Sequence, residues 1–160
     1  MPLGLPPTVP SDAPFRLAVA GSRDLRDSAF VFDKLTHFLS QRYPDVVILH
    51  GGCRGADAIA EAWSLRFLKN PPVVFEADWP KYGKRAGPIR NEAMIADADA
   101  LLAFPRYPVS LGTQDAICCA VGTRTPVVIF WLDIDEAGMV RGVKQVVSYN
   151  RKALKREVLT

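Results

Sequence analysis

Five short apolar runs, at 15–20, 46–50, 73–77, 100–104 and 126–131, recur about every 27 residues with amphipathic segments between them. They are short and nearly continuous in their apolar character, which suits strands buried on both sides. Segment 28–42 places Val31, Leu35, Phe38 and Leu39 on one helical face, and a helix from Ala56 carries Ala56, Ile59, Ala60, Trp63 and Phe67 on one stripe. Pro44 and Pro71-Pro72 stop these helices. Further helices are expected over 89–96 and 113–121, flanking the fourth run. Alternation of this kind predicts βαβ units. The expected fold is α/β: a single-domain, Rossmann-like, doubly wound parallel sheet of about five strands, covered on both faces. Beyond Trp131 a turn at 133–138 precedes 143–149, which suits an edge strand or a helix equally.

The folded unit so outlined is 15–149. Residues 1–14 are rich in proline, lack apolar periodicity and read as an extended leader. Residues 150–160 read as a basic tail. Its Arg151, Lys152, Lys155 and Arg156, set against Glu157, account for the whole net charge of +3, and the rest of the chain is balanced. A balanced body argues against holding nucleic acid through net charge alone. Both ends are expected to be dispensable for folding. No run approaches the ~20 apolar residues of a membrane span. The leader has neither the basic start nor the apolar stretch of a signal peptide. Cys53, Cys118 and Cys119 form no CxxC and no even framework, which predicts a reducing, cytoplasmic setting. Cys118 and Cys119 are expected in the core. His37 and His50, with no metal-ligand cluster around them, read as structural, and no metal site is expected. Asp97 and Asp99 read as loop solvation.

In a doubly wound sheet, ligands sit beyond the C-terminal strand ends, where helix N-termini present free N–H groups. Those positions here hold Gly21-Ser22-Arg23-Asp24, Gly51-Gly52-Cys53-Arg54-Gly55-Ala56-Asp57, Lys84-Arg85-Ala86-Gly87-Pro88-Ile89-Arg90-Asn91 and Gly112-Thr113. Small residues admit a phosphate close to the backbone, and arginines supply forked donors. Arg90 and Asn91 are expected in the first turn of the third helix. A cation there costs about 0.3–1 kcal/mol unless an anion offsets it. Asp57 reads either as a partner for a ribose hydroxyl or as a charge favouring its own helix N-terminus. There is no Walker A pattern and no GxSxG.

Taken in order, Gly21-Ser22-Arg23-Asp24, then His50 to Asp57, then Ala77-Asp78-Trp79-Pro80 and Gly87-Pro88-Ile89-Arg90-Asn91-Glu92-Ala93-Met94, then Ala103-Phe104-Pro105 and Gly112-Thr113 resemble the SLOG superfamily, in particular its YspA-like (YpsA-related) branch. The similarity covers about 16–131. That superfamily is Rossmann-like and includes the Lonely Guy phosphoribohydrolases, molybdenum-cofactor carrier-like proteins and the Rossmann domain of DprA. The resemblance implies a pocket for a nucleotide-like ligand on Gly21, Ser22, Arg23, Gly51, Gly52, Gly55, Asp57, Arg90, Asn91, Gly112 and Thr113. It also implies a homodimer packed through helices.

One departure bears on chemistry. The phosphoribohydrolases carry Gly-Gly-x-Gly-Thr-x-x-Glu, whereas this chain reads Ser110-Leu111-Gly112-Thr113-Gln114-Asp115-Ala116, with no double glycine and with alanine at the glutamate position. Asp115 lies one residue early, about 100° around a helix. The leading reading is therefore a sensor or carrier module that needs no cofactor and binds a nucleotide or ADP-ribose-like molecule, with Arg23 and Arg90 on phosphate and Asp57 near ribose. The second is an N-glycosidic nucleoside-phosphate hydrolase using Asp115 or Glu92. The third is DprA-like binding of single-stranded nucleic acid through the 81–90 loop and the basic tail.

Overall fold

A computed structural model describes residues 13–149 and the backbone of a last strand, 156–159. Residues 1–12 of the expected leader and 150–155 of the expected tail lie outside the described residues. The strands are β1 (Phe15–Gly21), β2 (Val46–His50), β3 (Val73–Val74), β4 (Ala100–Phe104), β5 (Val127–Ile134), β6 (Val140–Tyr149) and β7 (Arg156–Leu159). The helices are α1 (Ser28–Phe38), α2 (Ala56–Phe67), α3 (Trp79–Tyr82), α4 (Ala86–Ala96) and α5 (Leu111–Gly122). They form one seven-stranded sheet in the order β3-β2-β1-β4-β5-β6-β7. β1 to β5 pair in parallel, while β6 and β7 pair antiparallel.

The alternation of outward and inward side chains along each strand divides the core into two layers. On one face Leu17, Val19, Ile48, Leu102 and Phe104 meet Val31 and Leu35 of α1 and Ile59 and Trp63 of α2. Phe104 and Phe130 stack at 5.8 Å, with Phe30 edge-on to both. On the other face Ala18, Ala20, Leu49, Leu101 and Ala103 meet Met94 and Ile95 of α4 and Ala116 and Ala120 of α5. Because the chain runs outward from β1 to β3 and then returns to β4, the order reverses between β1 and β4. A crevice opens at their C-terminal ends.

Several expectations are corrected. The sheet is mixed rather than all-parallel, and it has seven strands rather than about five. Segment 143–149 lies within β6, and residues 156–159 of the expected tail add β7 along its far edge. A tight β5–β6 turn makes this pairing possible. The Asp135 carboxylate accepts from the N–H groups of Ala137 and Met139, and these bonds, Met139's foremost, hold its pKa below the ordinary value. β3 is two residues long and its valines are exposed, because it forms the opposite edge. Asp97 and Asp99 do more than solvate a loop. Arg16 pairs with Asp97 at 2.9 Å, and its backbone N–H donates to Asp99, so the start of β1 is latched to the start of β4. Cys118 is exposed rather than in the core, and Cys119 is half-buried and packs against the second core layer. Among the described residues, no helix is long and apolar enough to cross a membrane.

Asp27 joins the two halves of the sheet. Its Oδ1 caps α1 by accepting from Phe30 N–H at 3.1 Å, and its Oδ2 accepts from Val140 N–H at 3.1 Å, 113 residues away. Asp27→Ala should therefore lower the unfolding free energy by about 1–2 kcal/mol, the upper part of the usual range for a lost cap. Asp27→Asn, which keeps one acceptor oxygen, should lose less. Urea denaturation at neutral pH measures both.

Candidate functional site

The crevice at the β1/β4 switch point is a cleft of about 350 Å³. Its floor is the end of β1 (Val19 to Gly21), and its walls come from the loop after β2, the middle of α4 and the start of α5. Of the residues expected there, Gly21, Arg23, Gly51, Asp57, Arg90, Asn91, Gly112 and Thr113 line it. Ser22, Gly52 and Gly55 do not. Sequence reasoning passed over Cys53, Met94, Ser110 and Leu111, which complete the lining. The serine had a readable signal, since Ser at that place before a helix is a common N-cap.

The loop after β2 is shaped by its glycines. Gly55 has φ +80°, and a β-carbon there would strike the carbonyl oxygen of Ser22 and the backbone of Arg23. The loop thus packs directly on the β1–α1 turn, and Ala56 N–H donates to Ser22 O at 3.2 Å. Gly51 has no room for a β-carbon either, because Arg90 Nη1 and Asp57 Oδ2 lie against it. Asp57 Oδ2 accepts from the N–H groups of Gly51 (2.9 Å) and Cys53 (3.3 Å). Burial pushes the Asp57 carboxyl above its ordinary pKa, although those two N–H groups and the nearby Arg90 cation work the other way. His50 is also buried. Its Nδ1 accepts from Gly52 N–H at 3.0 Å, so the proton of the neutral ring sits on Nε2, 3.4 Å from Glu61.

Arg90 is the main correction. α4 begins at Ala86 rather than near Ile89, so Arg90 falls in its second turn and the helix-dipole argument for an anion there does not hold. Its Nη1 donates to Gly51 O (2.7 Å) and Phe75 O (3.3 Å), and its Nε donates to Asn91 Oδ1 (2.9 Å). Asn91 is fully engaged as well. Its Nδ2 donates to Gly112 O (3.2 Å) and to Asp115 Oδ2 (2.9 Å), which braces α4 against α5. These side chains therefore build the site's walls, and Arg90 Nη2 alone among their polar atoms has no described partner.

Donors for a ligand remain on the other side. α5 starts at Leu111, two residues earlier than expected. Ser110 caps it by accepting from Thr113 N–H at 3.3 Å. The N–H groups of Leu111 and Gly112 have no partner among the described residues, and a β-carbon on Gly112 would meet open space. Arg23 is exposed and lines the cleft, and the one described hydrogen-bond partner of its guanidinium is the Cys53 sulfur, at 3.9 Å. Neither acid considered for catalysis lines the cleft: Asp115 is held by Asn91, and Glu92 is exposed. Ala116 is buried. Among the described residues, no group of three or more His, Cys, Asp and Glu could hold a metal ion.

A doubly wound α/β domain with a crevice at its switch point is the class that this geometry defines. Residues 15–82 match the model of the YspA, cpYpsA-related SLOG family. The Gene 61 protein of Mycobacterium phage D29 is 38% identical over 120 residues, covering 72% of this chain and 95% of that protein. The chain belongs to the YspA, cpYpsA-related SLOG family. Its fold is similar to that of DNA processing protein A from Helicobacter pylori, a structure solved for its single-stranded DNA binding mode, with a TM-score of 0.50 at 17% identity. That match covers 74% of this chain and 66% of the other, so the chain spans just under two thirds of the Helicobacter protein.

Two outcomes follow from the clamp on the loop. Arg90→Ala should destabilise the unliganded protein by about 1–3 kcal/mol, because two carbonyls lose a charged donor; chemical denaturation reads this directly. The second concerns pH. Asp57 has a raised folded-state pKa, so its burial penalty is absent below the unfolded value of 3.8 and grows as pH rises through the folded pKa. The stability of the wild type relative to Asp57→Asn should therefore fall as pH rises above 3.8 and level off once the folded-state carboxyl has ionised. A difference that rises with pH would contradict this.

Proposed function

We propose that this protein binds a nucleotide or nucleotide-derived molecule, such as one with an ADP-ribose-like frame, as a sensor or carrier. One phosphate would sit on the first turn of α5. The carrying observation is the pair of N–H groups at Leu111 and Gly112, without a partner among the described residues, on two residues that line the cleft together with Arg23. A helix N-terminus adds its dipole to those donors, and an arginine adds a forked cation. The cleft's volume of about 350 Å³ stands near the lower end of ordinary ligand sites, roughly 300–1,000 Å³. That size suits a mononucleotide better than a full dinucleotide cofactor. Met94 and Ala20, on the same face of the sheet, supply apolar surface for a base or sugar face.

Single-stranded DNA is the second reading. It is supported by the binding described for the Helicobacter protein of like fold. The two readings separate in a single titration series. A mononucleotide ligand binds with modest salt dependence, whereas a strand neutralising several phosphates loses affinity steeply as salt rises.

The test is a thermal-shift and calorimetric screen of the full chain over nucleoside monophosphates and ADP-ribose. A true ligand at a hundred times its dissociation constant should stabilise the fold by about 2.7 kcal/mol. Arg23→Ala should weaken binding by about 1.5–3 kcal/mol, the range for a lost charged hydrogen bond. It should leave the unliganded melting temperature nearly unchanged, since its guanidinium supports nothing but a distant sulfur contact. Incubation with AMP should release no adenine, because general acid–base cleavage needs a carboxyl group within reach of the bond. Binding of none of these nucleotides at millimolar concentration would overturn the reading.

A further inference from the structure

Beside the cleft runs a second groove of about 270 Å³, and the two share Arg23, Ser110 and Thr113 as a common wall. The far side of this groove carries Arg54 and Arg106, with Asp24 as its one acid. We propose that this groove is a second anion subsite, so that the ligand carries two phosphate groups on one nucleoside frame. The inference rests on the preceding reading and names the chemical class of its ligand.

Charge is the first argument. Arg106 lies 3.5 Å from Asp24, and both side chains are well exposed. That pair leaves Arg23 and Arg54 with no carboxylate partner among the described residues. The chain outside 150–160 is electrically balanced, so two uncompensated arginines at one sheet end are a local concentration of charge and not part of a generally basic surface. Like charges lining one groove repel one another, and a bound anion would offset that repulsion.

Rigidity is the second argument. Arg23 is held at its carbonyl by Arg26 Nη1 (2.7 Å), and its backbone lies against Gly55. Arg54 directly precedes that locked glycine. Arg106 bridges to Leu132, whose N–H donates to Pro105 O at 2.9 Å. All three arginines thus leave from fixed backbone positions. A held backbone leaves only side-chain rotamers to be ordered on binding, less than a side chain on a mobile loop would lose.

The shared wall gives the third argument. Ser110 and Thr113 stand between the two cavities at the start of α5. A phosphate seated on that helix end leaves the nucleoside in the cleft and directs a further phosphate into the groove. A nucleoside diphosphate, a nucleoside 3′,5′-bisphosphate and the 5′ end of a short strand share this chemistry.

The experiment compares dissociation constants, by titration calorimetry on the full chain, across three sets of probes. These are AMP, GMP, CMP and UMP; their 5′-diphosphates and 3′,5′-bisphosphates; and 5′-phosphorylated dinucleotides. At least one two-phosphate probe should bind about tenfold or more tighter than its monophosphate, the size of one charged hydrogen bond. In the Arg54→Gln/Arg106→Gln variant that gap should shrink to roughly threefold or less, as expected when the charged contacts are gone. Arg54→Gln alone should narrow the gap too, and its side chain makes no described contact, so it serves if the double variant folds poorly. The probe class that gains identifies the source of the second phosphate. Equal affinities for one- and two-phosphate probes, or a gap that survives both variants, overturn the second subsite while leaving the first reading intact. If the wild type binds none of these probes, the second subsite falls, and if it binds no ADP-ribose either, the first reading falls with it.

Discussion

Gly51 is held from both of its polar ends, and the architecture of the site depends on that grip. Its N–H donates to Asp57 on α2, and its carbonyl accepts from Arg90 on α4. These two helices lie on opposite faces of the sheet. The pair of bonds therefore ties the two helical layers together over the end of β2. Only a residue without a β-carbon fits, because both charged groups lie against the position where one would be. A carboxylate buried this deeply is disfavoured by lost hydration, and the two N–H groups with the nearby guanidinium offset part of that loss.

That clamp redistributes roles among residues that a motif alone treats alike. Asp57, Asn91 and most of Arg90 face inward to hold loops and helices in register. Arg23 and the first two N–H groups of α5 remain open to a ligand. Walls made of engaged polar groups do not rearrange cheaply, so the open donors keep their positions before a ligand arrives. Preorganisation of this kind lowers the ordering cost of binding. Asp115 is drawn into the same brace, accepting from Asn91 at 2.9 Å.

The far half of the sheet adds a different constraint. β5 and β6 form an antiparallel extension whose turn is fixed by Asp135, and it is fastened back to the start of α1 by Asp27. Arg26 N–H also donates to Gly138 O at 2.7 Å. The β1–α1 turn that carries Ser22 and Arg23 is thus supported from the β5–β6 turn as well as from Gly55. Two segments distant in sequence thus support the turn that carries Arg23, which lines both cavities.

Much of this was readable from the chain alone, because hydrophobic periodicity is a local record of burial. The central strands at 15–21, 46–50 and 100–104, the faces of α1 and α2, and the grouping of Gly21, Gly51 and Gly112 at strand ends all follow from spacing and residue type. The family, too, was legible in the order of its motifs. Other features depended on tertiary structure for identifiable reasons. The start of α4 is masked by Gly87 and Pro88, which read as loop residues but are tolerated in a first helical turn. β6 and β7 have mixed polar and apolar sequences, as an edge extension does, and only the pairing of β6 with β5 and of β7 with β6 defines them. Whether Arg90 meets a ligand or a carbonyl is a question of which backbone oxygen lies 2.7 Å away, across 39 residues of chain. Local sequence records what must be buried; which partner a charged group finds at that distance is decided by packing.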